Sequence, residues 1–410
     1  MNYKSNMGGM NPQRNCQNSM PNNNPNTDCL EVCDQSIFFS GLCDGQNFDI
    51  SKNYWTELSI NGAICVPEQK PLIEQIDSIN AKTEIMSIKV IETPGLNNAT
   101  IENYEGRKLT TRKLIVEGLI CLTVSYVSMC KDQSVHSFHG KVPFSAFIVI
   151  SREIGTGANK KDTLNLNFMV ASCIEDVCVK SIQNRVVNVT ATFILSATQV
   201  ANPCDESYFL DSGIECRDVV DCISCEDNQN IVISGVCPPE KIRNLITTNM
   251  EKYWNEISVP EVLTIPSFKP DVEQILSINS KVEIMCQKVI ETPIATQNRV
   301  APGQVVVANG KNLANLNLTG RKLIIEALLR QRITYVSSTD CQSVHSAHFD
   351  IPISTYIMVP QKTLLTDKFK IVPCIEDIYA CILNPRQIFK NTTLFFKAVP
   401  VTCPLGIAMI

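Results

Sequence analysis

Nineteen cysteines are the most conspicuous source of chemistry in this 410-residue chain. Many of them stand in polar, turn-rich stretches, where an exposed thiol can cross-link one chain to another. A thiol within an apolar run, such as Cys121, is expected to be an inert core residue. Disulfide bonding is therefore the favoured interpretation, ahead of free thiols, and the spacing leaves the pairing open. The candidate disulfide or cross-link residues are Cys16, Cys29, Cys33, Cys43, Cys204, Cys216, Cys222, Cys225, Cys237 and Cys403.

Zinc binding is the alternative chemistry for some of these thiols. Four neighbouring cysteines would supply the thiolates: Cys216, Cys222, Cys225 and Cys237. Cys222-x-x-Cys225 has the spacing of a zinc knuckle. The corresponding pair earlier in the chain is Cys29-x-x-x-Cys33, and a second CxxC is missing. The pattern therefore favours disulfides, and we predict neither a metal nor another cofactor.

The four histidines stand at matched places, His136 with His139 and His345 with His348. A recurring pair invites a metal-site hypothesis. The surrounding residues, however, have the composition of strands, in which residues three apart point to opposite faces. One strand would then offer a single imidazole to each face. We predict structural histidines at strand or turn positions.

Adjacent carboxylates recur as Glu175-Asp176 and Glu376-Asp377. Glycoside hydrolysis needs two carboxyl groups that face one bond from about 5 to 10 Å apart, whereas adjacent strand residues are expected to diverge. The chain contains no GxSxG, Walker, GxGxxG or HExxH motif. We predict that the protein is not an enzyme and has no catalytic residues.

These matched positions belong to a repeat that spans most of the chain. Residues 67–94 and 266–293 are identical at 19 of 28 positions. The match resumes in RKLIVE and RKLIIE, in QSVHS, and in CIED. Two units of this size indicate tandem domains, because a solenoid has shorter and more numerous repeats. The predicted segments are a flexible Asn-rich arm (1–27), repeat 1 (28–204, core 55–195), a linker (205–221), repeat 2 (222–403, core 254–399) and a C-terminal tail (404–410).

Within each unit, runs rich in Ile, Leu, Val and Thr alternate with Gly, Asn and Pro borders, which is typical of strands. The predicted fold is mainly β, with two tandem homologous domains, each a sandwich or barrel with a short helix and a cysteine-rich N-terminal portion. Residues 240–257 space Ile242, Ile246, Met250 and Trp254 at helical intervals and predict an amphipathic helix. The insertion at 295–316 is predicted to be a surface loop or hairpin.

Composition limits the partners and the location. The net charge is −5, without a basic stripe for nucleic acid. No apolar run approaches the roughly 20 residues that span a bilayer, and the start of the chain lacks the apolar stretch of a secretory signal. We expect a soluble protein that is not exported by the usual route and binds neither nucleic acid nor membrane. Because disulfides are not maintained in a reducing cytosol, so many cysteines need an explanation. The alternatives are metal binding, inert core positions, or later exposure to oxidising surroundings.

Several segments together resemble one known family, the SPOCS domain of spore-coat and exosporium proteins from clostridia and related spore formers. They are the VIETP segment, RKLIIEALL followed by ITYVS, QSVHSAHFDIPISTYI, and CIEDIYACILNPRQIFKNTTLFF. The resemblance covers roughly 55–195 and 254–399. No segment of the sequence resembles the peptidoglycan-binding LysM module of the best-known member.

The resemblance implies a structural protein of the spore surface, made in the mother-cell cytosol without a signal peptide and oxidised after that cell lyses. We expect it to assemble with itself into a disulfide-reinforced lattice or filament, and also to contact other spore-coat proteins. Unpaired sheet edges are the expected route to assembly, and the N-terminal arm would carry Cys16 to a neighbour. The alternatives are an adaptor that docks other coat proteins without polymerising, and a zinc-stabilised interaction module.

Overall fold

Long strands with alternating inward and outward side chains form most of the protein. A computed structural model describes residues 37–43, 48, 54–96, 99–200, 231–247, 251–294, 312 and 316–401. Each repeat is a sandwich of two facing sheets, so the predicted mainly-β fold with two tandem domains is confirmed. The repeats are called domain 1 and domain 2. In each sandwich the inner face of a sheet packs against the partner sheet, and the outer face points away from it.

Domain 1 contains eleven of the described strands. They are β1 (Phe38–Ser40), β2 (Trp55–Cys65), β3 (Ile73–Glu92), β4 (Ile101–Glu102), β5 (Lys108–Leu109), β6 (Arg112–Ser128), β7 (Val135–Val149), β8 (Glu153–Ile154), β9 (Lys161–Asp162), β10 (Asn167–Gln183) and β11 (Val186–Val200). Two short 3₁₀ turns span Gly157–Asn159 and Thr163–Asn165. One sheet has the order β1-β3-β6-β7 and the facing sheet has the order β2-β11-β10.

Domain 2 repeats this arrangement. Its elements are β12 (Val232–Ser234), the helix α1 (Pro239–Arg243), β13 (Trp254–Thr264), β14 (Val272–Ile294), β15 (Thr319–Ser337), β16 (Val344–Met358), β17 (Phe369–Asn384) and β18 (Gln387–Pro400). The sheets have the orders β12-β14-β15-β16 and β13-β18-β17. The strand order in both domains is the same, which fixes equivalent residues. We call β1-β3-β6-β7 and β12-β14-β15-β16 the four-stranded sheets, and the others the three-stranded sheets.

Both cores lie between the two sheets of a sandwich. Alternate residues of β6, including Leu114, Val116 and Ile120, point inward and are fully buried. Their removal from water is the main favourable contribution to folding, at roughly 1.5–3 kcal/mol for each large apolar side chain. The apolar residues that alternate along the sequence are therefore the ones buried between the two sheets.

The repeated Ser-Gly-x-Cys segment makes a sharp turn after the short first strand of each domain. Gly41 has a φ of +85° and Gly235 a φ of +101°, a region that favours glycine. A Cβ on either residue would lie 1.9 Å from a backbone oxygen of the neighbouring strand. The turn directs the following cysteine toward the far sheet.

A polar trio lies inside the core of domain 2. Lys390 on β18 sits opposite Glu261 on β13, with its Nζ 3.6 Å from a Glu261 oxygen. The Gln331 amide donates to the same carboxylate at 2.7 Å. Burial lowers the pKa of Lys390 to about 8, and the Glu261 carboxylate opposes that shift.

The predicted long helix at 240–257 is wrong in extent. The helix α1 covers only Pro239–Arg243, where Ile242 is buried. Trp254, placed on the helix by its spacing, begins β13 and pairs with Lys397. Sheet pairing outweighed local helical periodicity at that point. The expected hairpin at 295–316 lies outside the described residues except for Asn312 and Leu316, and no helix in the described part of the chain is long and apolar enough to cross a bilayer.

Candidate interaction site

The outer face of the four-stranded sheet of domain 1 packs on the outer face of the three-stranded sheet of domain 2. We call this contact the junction. Side chains of β3, β6 and β7 contact β13, β17 and β18 across it. Strand β6 is consequently buried on both faces from Arg112 to Ile120. The domain 1 sheet is thus a middle layer between two others.

A buried lysine lies between two carboxylates at the centre of the junction. Lys113 Nζ donates to Glu256 at 2.7 Å and to Glu376 at 3.0 Å. It also lies 4.4 Å from the ring centre of Phe147. Burial by itself lowers the pKa of Lys113, but the two carboxylates outweigh it and the pKa is raised. The cluster holds a charged ammonium where water is excluded.

A β-bulge brings two adjacent acids to the junction. The register of β17 with β18 shifts between Ile375 and Asp377, so Glu376 is an extra residue on its strand. Glu376 contacts Lys113, and Asp377 accepts from Lys89 at 2.5 Å. The expected divergence of the Glu-Asp pair is therefore wrong here, because the bulge interrupts the alternation on which it was based.

Glu117 is a second buried acid at the junction. Asn391 of domain 2 donates to it at 3.4 Å. Burial and the nearby Asp377 carboxylate raise the pKa of Glu117 to about 8. Burial also raises the pKa of Glu376 to about 8, although Lys113 opposes that shift. Glu117, which has no such cation in contact, is therefore largely protonated at neutral pH.

The folded pKa of these acids gives the junction a pH dependence with a definite sign. A carboxyl whose pKa is raised from 4.5 to about 8 stabilises the fold fully at low pH and loses that contribution as the pH rises from 4.5 to 8. Glu117→Gln, which mimics the protonated acid, should therefore gain about 3–4 kcal/mol of unfolding free energy relative to the wild type as the pH rises from 5 to 8. Urea unfolding across this range measures it.

Glu326 is the matched control for that experiment, because it occupies the equivalent position of β15 in domain 2 and is exposed. Glu326→Gln should show the pH dependence of the wild type. If the two variants behave alike, Glu117 does not titrate at the junction.

Apolar contacts border the charged cluster. Trp254 is fully buried and stacks on Phe395, with ring centres 5.9 Å apart. Ile101 and Leu109, from the β4–β5 hairpin of domain 1, join the same cluster. The junction therefore combines an apolar patch with buried ion pairs, as stable domain interfaces do.

The β4–β5 hairpin of domain 1 reaches along the rim of domain 2. Asn103 Oδ1 accepts three backbone N–H groups of its own turn at 2.9 to 3.0 Å, and its amide donates to the Trp254 carbonyl at 3.0 Å. Tyr104 packs edge-on against Tyr253, with ring centres 5.1 Å apart. Glu105 accepts from the Tyr356 hydroxyl at 2.7 Å. These contacts fix how the domains are oriented.

A cavity of about 280 Å³ lies beside the junction. Its charged lining consists of Glu92, Arg112, Arg152 and Arg243. Arg243 pairs with Glu92 at 3.0 Å, and Arg112 pairs with Asp162 at 2.6 Å. The cations there are already balanced by carboxylates of the protein itself.

Two of the ten predicted cysteines fall among the described residues. Cys43 is bonded to Cys173 and Cys237 to Cys374, with Cα atoms 5.2 Å and 5.8 Å apart. Each bond joins the segment after the first strand to the far sheet of its own domain. The other eight lie outside the described residues: Cys16, Cys29, Cys33, Cys204, Cys216, Cys222, Cys225 and Cys403.

In the part of the chain that the structure describes, four exposed free thiols were not singled out from the sequence. They are Cys65, Cys130, Cys286 and Cys341. Cys130 and Cys341 lie in the turns that join β6 to β7 and β15 to β16, and a turn position is the signal that pointed to them. Cys121, expected in the core, is instead half-buried on an outer face and donates to Glu84 at 3.0 Å.

His136 and His345 belong to a repeated turn, whereas His139 and His348 lie farther along β7 and β16. His136 is hydrogen-bonded to Ser134 at 3.0 Å, and His345 to Ser343 at 2.8 Å. Gln133, with a φ of +46°, donates through its side-chain amide to Glu74. The QSVHS motif thus fixes a hairpin turn. Among the described residues, no group of three His, Cys, Asp or Glu side chains lies close enough to hold a metal ion.

The fold and the junction together define a tandem pair of β-sandwich domains that dock face to face. A family model described as "SipL, SPOCS domain" matches residues 72–177 and again 271–383. The two matches cover more than half of the chain, which therefore belongs to the SPOCS-domain family. Each match begins at the long strand of a four-stranded sheet, β3 or β14, and ends within β10 or β17.

Other comparisons add nothing to this assignment. A search of curated proteins found no match. A solved structure titled "Crystal structure of lipopolysaccharide binding protein" is 8% identical over 85% of this chain and 92% of that chain, with a TM-score of 0.09. A likeness at that level carries no inference about fold or function.

Proposed function

We propose that this protein is a non-catalytic structural component of the bacterial spore surface, in the coat or exosporium, which assembles with itself. Its membership in the SPOCS-domain family supports an association with spores. The observation that carries self-assembly is the junction, because it demonstrates that one SPOCS sandwich has a face complementary to the next. A SPOCS domain of this chain thus has a surface that binds another SPOCS domain.

The junction differs from the edge-strand contact that the sequence led us to expect. Sheet faces meet there, through Lys113, Glu256 and Glu376, and no described strand of one domain pairs with a strand of the other. Face-to-face packing of this kind buries both apolar and charged groups.

Exposed thiols supply a way to make such contacts permanent. Cys65, Cys130, Cys286 and Cys341 are free and exposed, so each is open to oxidation against a thiol of another chain. A bridge between chains makes their dissociation depend on reduction of the disulfide. The protein would be made reduced in the mother-cell cytosol, assemble reversibly, and be cross-linked once it meets air.

Negative-stain microscopy of the purified protein tests this function. We expect regular sheets or filaments at high concentration in reducing buffer. After oxidation, non-reducing gels should show high-mass species that collapse when a thiol is added. Protein that remains monomeric in both buffers would overturn self-assembly and would favour the non-polymerising adaptor. Zinc that remains bound at stoichiometric amounts after dialysis would favour the zinc-stabilised module.

A further inference from the structure

The four-stranded face that domain 1 contributes to the junction has an exposed counterpart at the other end of the molecule. It is the outer face of the four-stranded sheet of domain 2. Ile115 and Leu119 are buried on the outer face of β6, whereas the equivalent residues of β15, Ile324 and Leu328, are only half-buried. Met285, on the neighbouring strand β14, is 63% exposed. Domain 2 therefore presents the same surface without a third sheet on it.

This exposed face keeps the cations of the junction. Lys322 is equivalent to Lys113, and Lys288 to Lys89. Lys322 Nζ lies 4.0 Å from the ring centre of Tyr356, as Lys113 Nζ lies 4.4 Å from that of Phe147. The ammonium group is thus held in a similar place on both faces.

The three-stranded face that domain 2 contributes to the junction also has an exposed counterpart, on the three-stranded sheet of domain 1. Glu57 and Glu175 are exposed at the positions of Glu256 and Glu376. The bulge is repeated as well, between Ile174 and Asp176, and Asp176 is exposed. The sheet carries the three carboxylates of the junction, and no cation from the described part of domain 2 pairs with them.

The tryptophans show the same contrast. Trp254 is 0% exposed at the junction, but its equivalent Trp55 on β2 is 47% exposed. A large apolar side chain left half in water beside three carboxylates is typical of a binding surface.

We propose that the junction is repeated between chains: the outer four-stranded face of domain 2 binds the outer three-stranded face of domain 1 on a second copy of this chain. Lys322 of one chain then lies between Glu57 and Glu175 of the next, and Lys288 pairs with Asp176. This inference rests on the proposed function and names its contact surface. Because the contact joins two different faces, it adds chains head to tail and produces an open filament.

Two replacements indicate how strong the contact between chains is. Thr190 is equivalent to Asn391, which donates to Glu117 at the junction. The hydroxyl of Thr190 is also a hydrogen-bond donor. Cys286 is equivalent to Ser87, whose side chain is hydrogen-bonded to Glu117 at the junction, and a thiol is a weaker donor than a hydroxyl. The contact between chains also lacks the high effective concentration of covalently joined domains. It should therefore form reversibly at high protein concentration, before any oxidation.

Complementary charge reversals on the full chain test the proposal in reducing buffer. Lys322→Glu disables the domain 2 face, and the double variant Glu57→Lys with Glu175→Lys disables the domain 1 face. Each should remain a monomer at concentrations where the wild type forms filaments. An equimolar mixture should form filaments again, because the two unaltered faces bind each other and the two altered faces carry opposite charges. Light scattering after size-exclusion chromatography measures the mass.

Lys131→Glu is the control, since it makes the same change of charge at the exposed turn between β6 and β7 of domain 1. It should form filaments like the wild type. Unchanged thermal unfolding of the face variants would show that they are folded. Filaments from Lys322→Glu alone, or a mixture that stays monomeric, would overturn this contact while leaving self-assembly intact. Wild-type protein that never assembles would instead refute the proposed function.

Discussion

Lys113→Met should lower the free energy of unfolding by about 3–5 kcal/mol at neutral pH. The side chain is fully buried, and its ammonium donates to Glu256 and Glu376. Methionine fills a similar volume but leaves two carboxylates in a site without water or a cation. Removal of one partner from a buried ion cluster is costly because the remaining charge is uncompensated. Urea unfolding in reducing buffer measures the loss as an earlier first transition.

The equivalent substitution in domain 2 supplies the control. Lys322 is half-exposed on an outer face, so Lys322→Met should change the unfolding free energy by less than about 0.5 kcal/mol. Combining Lys113→Met with Glu256→Gln and Glu376→Gln should recover much of the loss, because no buried charge then remains. A Lys113→Met variant as stable as Lys322→Met would refute the buried cluster.

Trp254→Ala should cost about 3–5 kcal/mol, the usual range for removing a large aromatic side chain from a packed site. Trp254 is completely buried, packs on Phe395, and donates through its indole N–H to the Glu251 carbonyl at 2.8 Å. Its loss opens a cavity at the junction. Small-angle scattering should then show more widely separated domains, and urea unfolding should begin earlier.

Trp55 provides the comparison, since Trp55→Ala should cost less than about 1 kcal/mol in the monomer. The chain contains two tryptophans, so each variant leaves a single fluorophore. Trp254, in the Trp55→Ala variant, should emit at the shorter wavelengths of a buried indole. Equal losses from the two substitutions would contradict the assignment of Trp254 to an interface.

The sequence predicted the sandwiches because strands carry their pattern locally. Leu114, Val116 and Ile120 alternate with outward residues, and this alternation is the physical cause of the inner face. The repeat likewise predicted two domains of one kind. Helical spacing near Trp254 failed because residues spaced three and four apart also occur by chance in a turn followed by a strand.

The junction was not predictable from the sequence for a different reason. Lys113 and Lys322 stand in nearly identical segments, RKLIVE and RKLIIE, yet one is fully buried and the other is not. Only the position of the next domain distinguishes them. The bulge at Glu376 was also missed, since an extra residue in a strand leaves no mark on local composition.

The polar trio inside domain 2 has a consequence for how two similar units fold on one chain. Tandem repeats are prone to exchange strands, and β18 is equivalent to β11. If β18 entered the first sandwich, Lys390 would replace Val189 and face Gly62 and Leu122 instead of Glu261. An ammonium buried without a carboxylate is strongly unfavourable, so hybrid domains built from the wrong halves are selectively destabilised. Lys390, Glu261 and Gln331 thereby favour the pairing of β18 with strands of its own domain during synthesis.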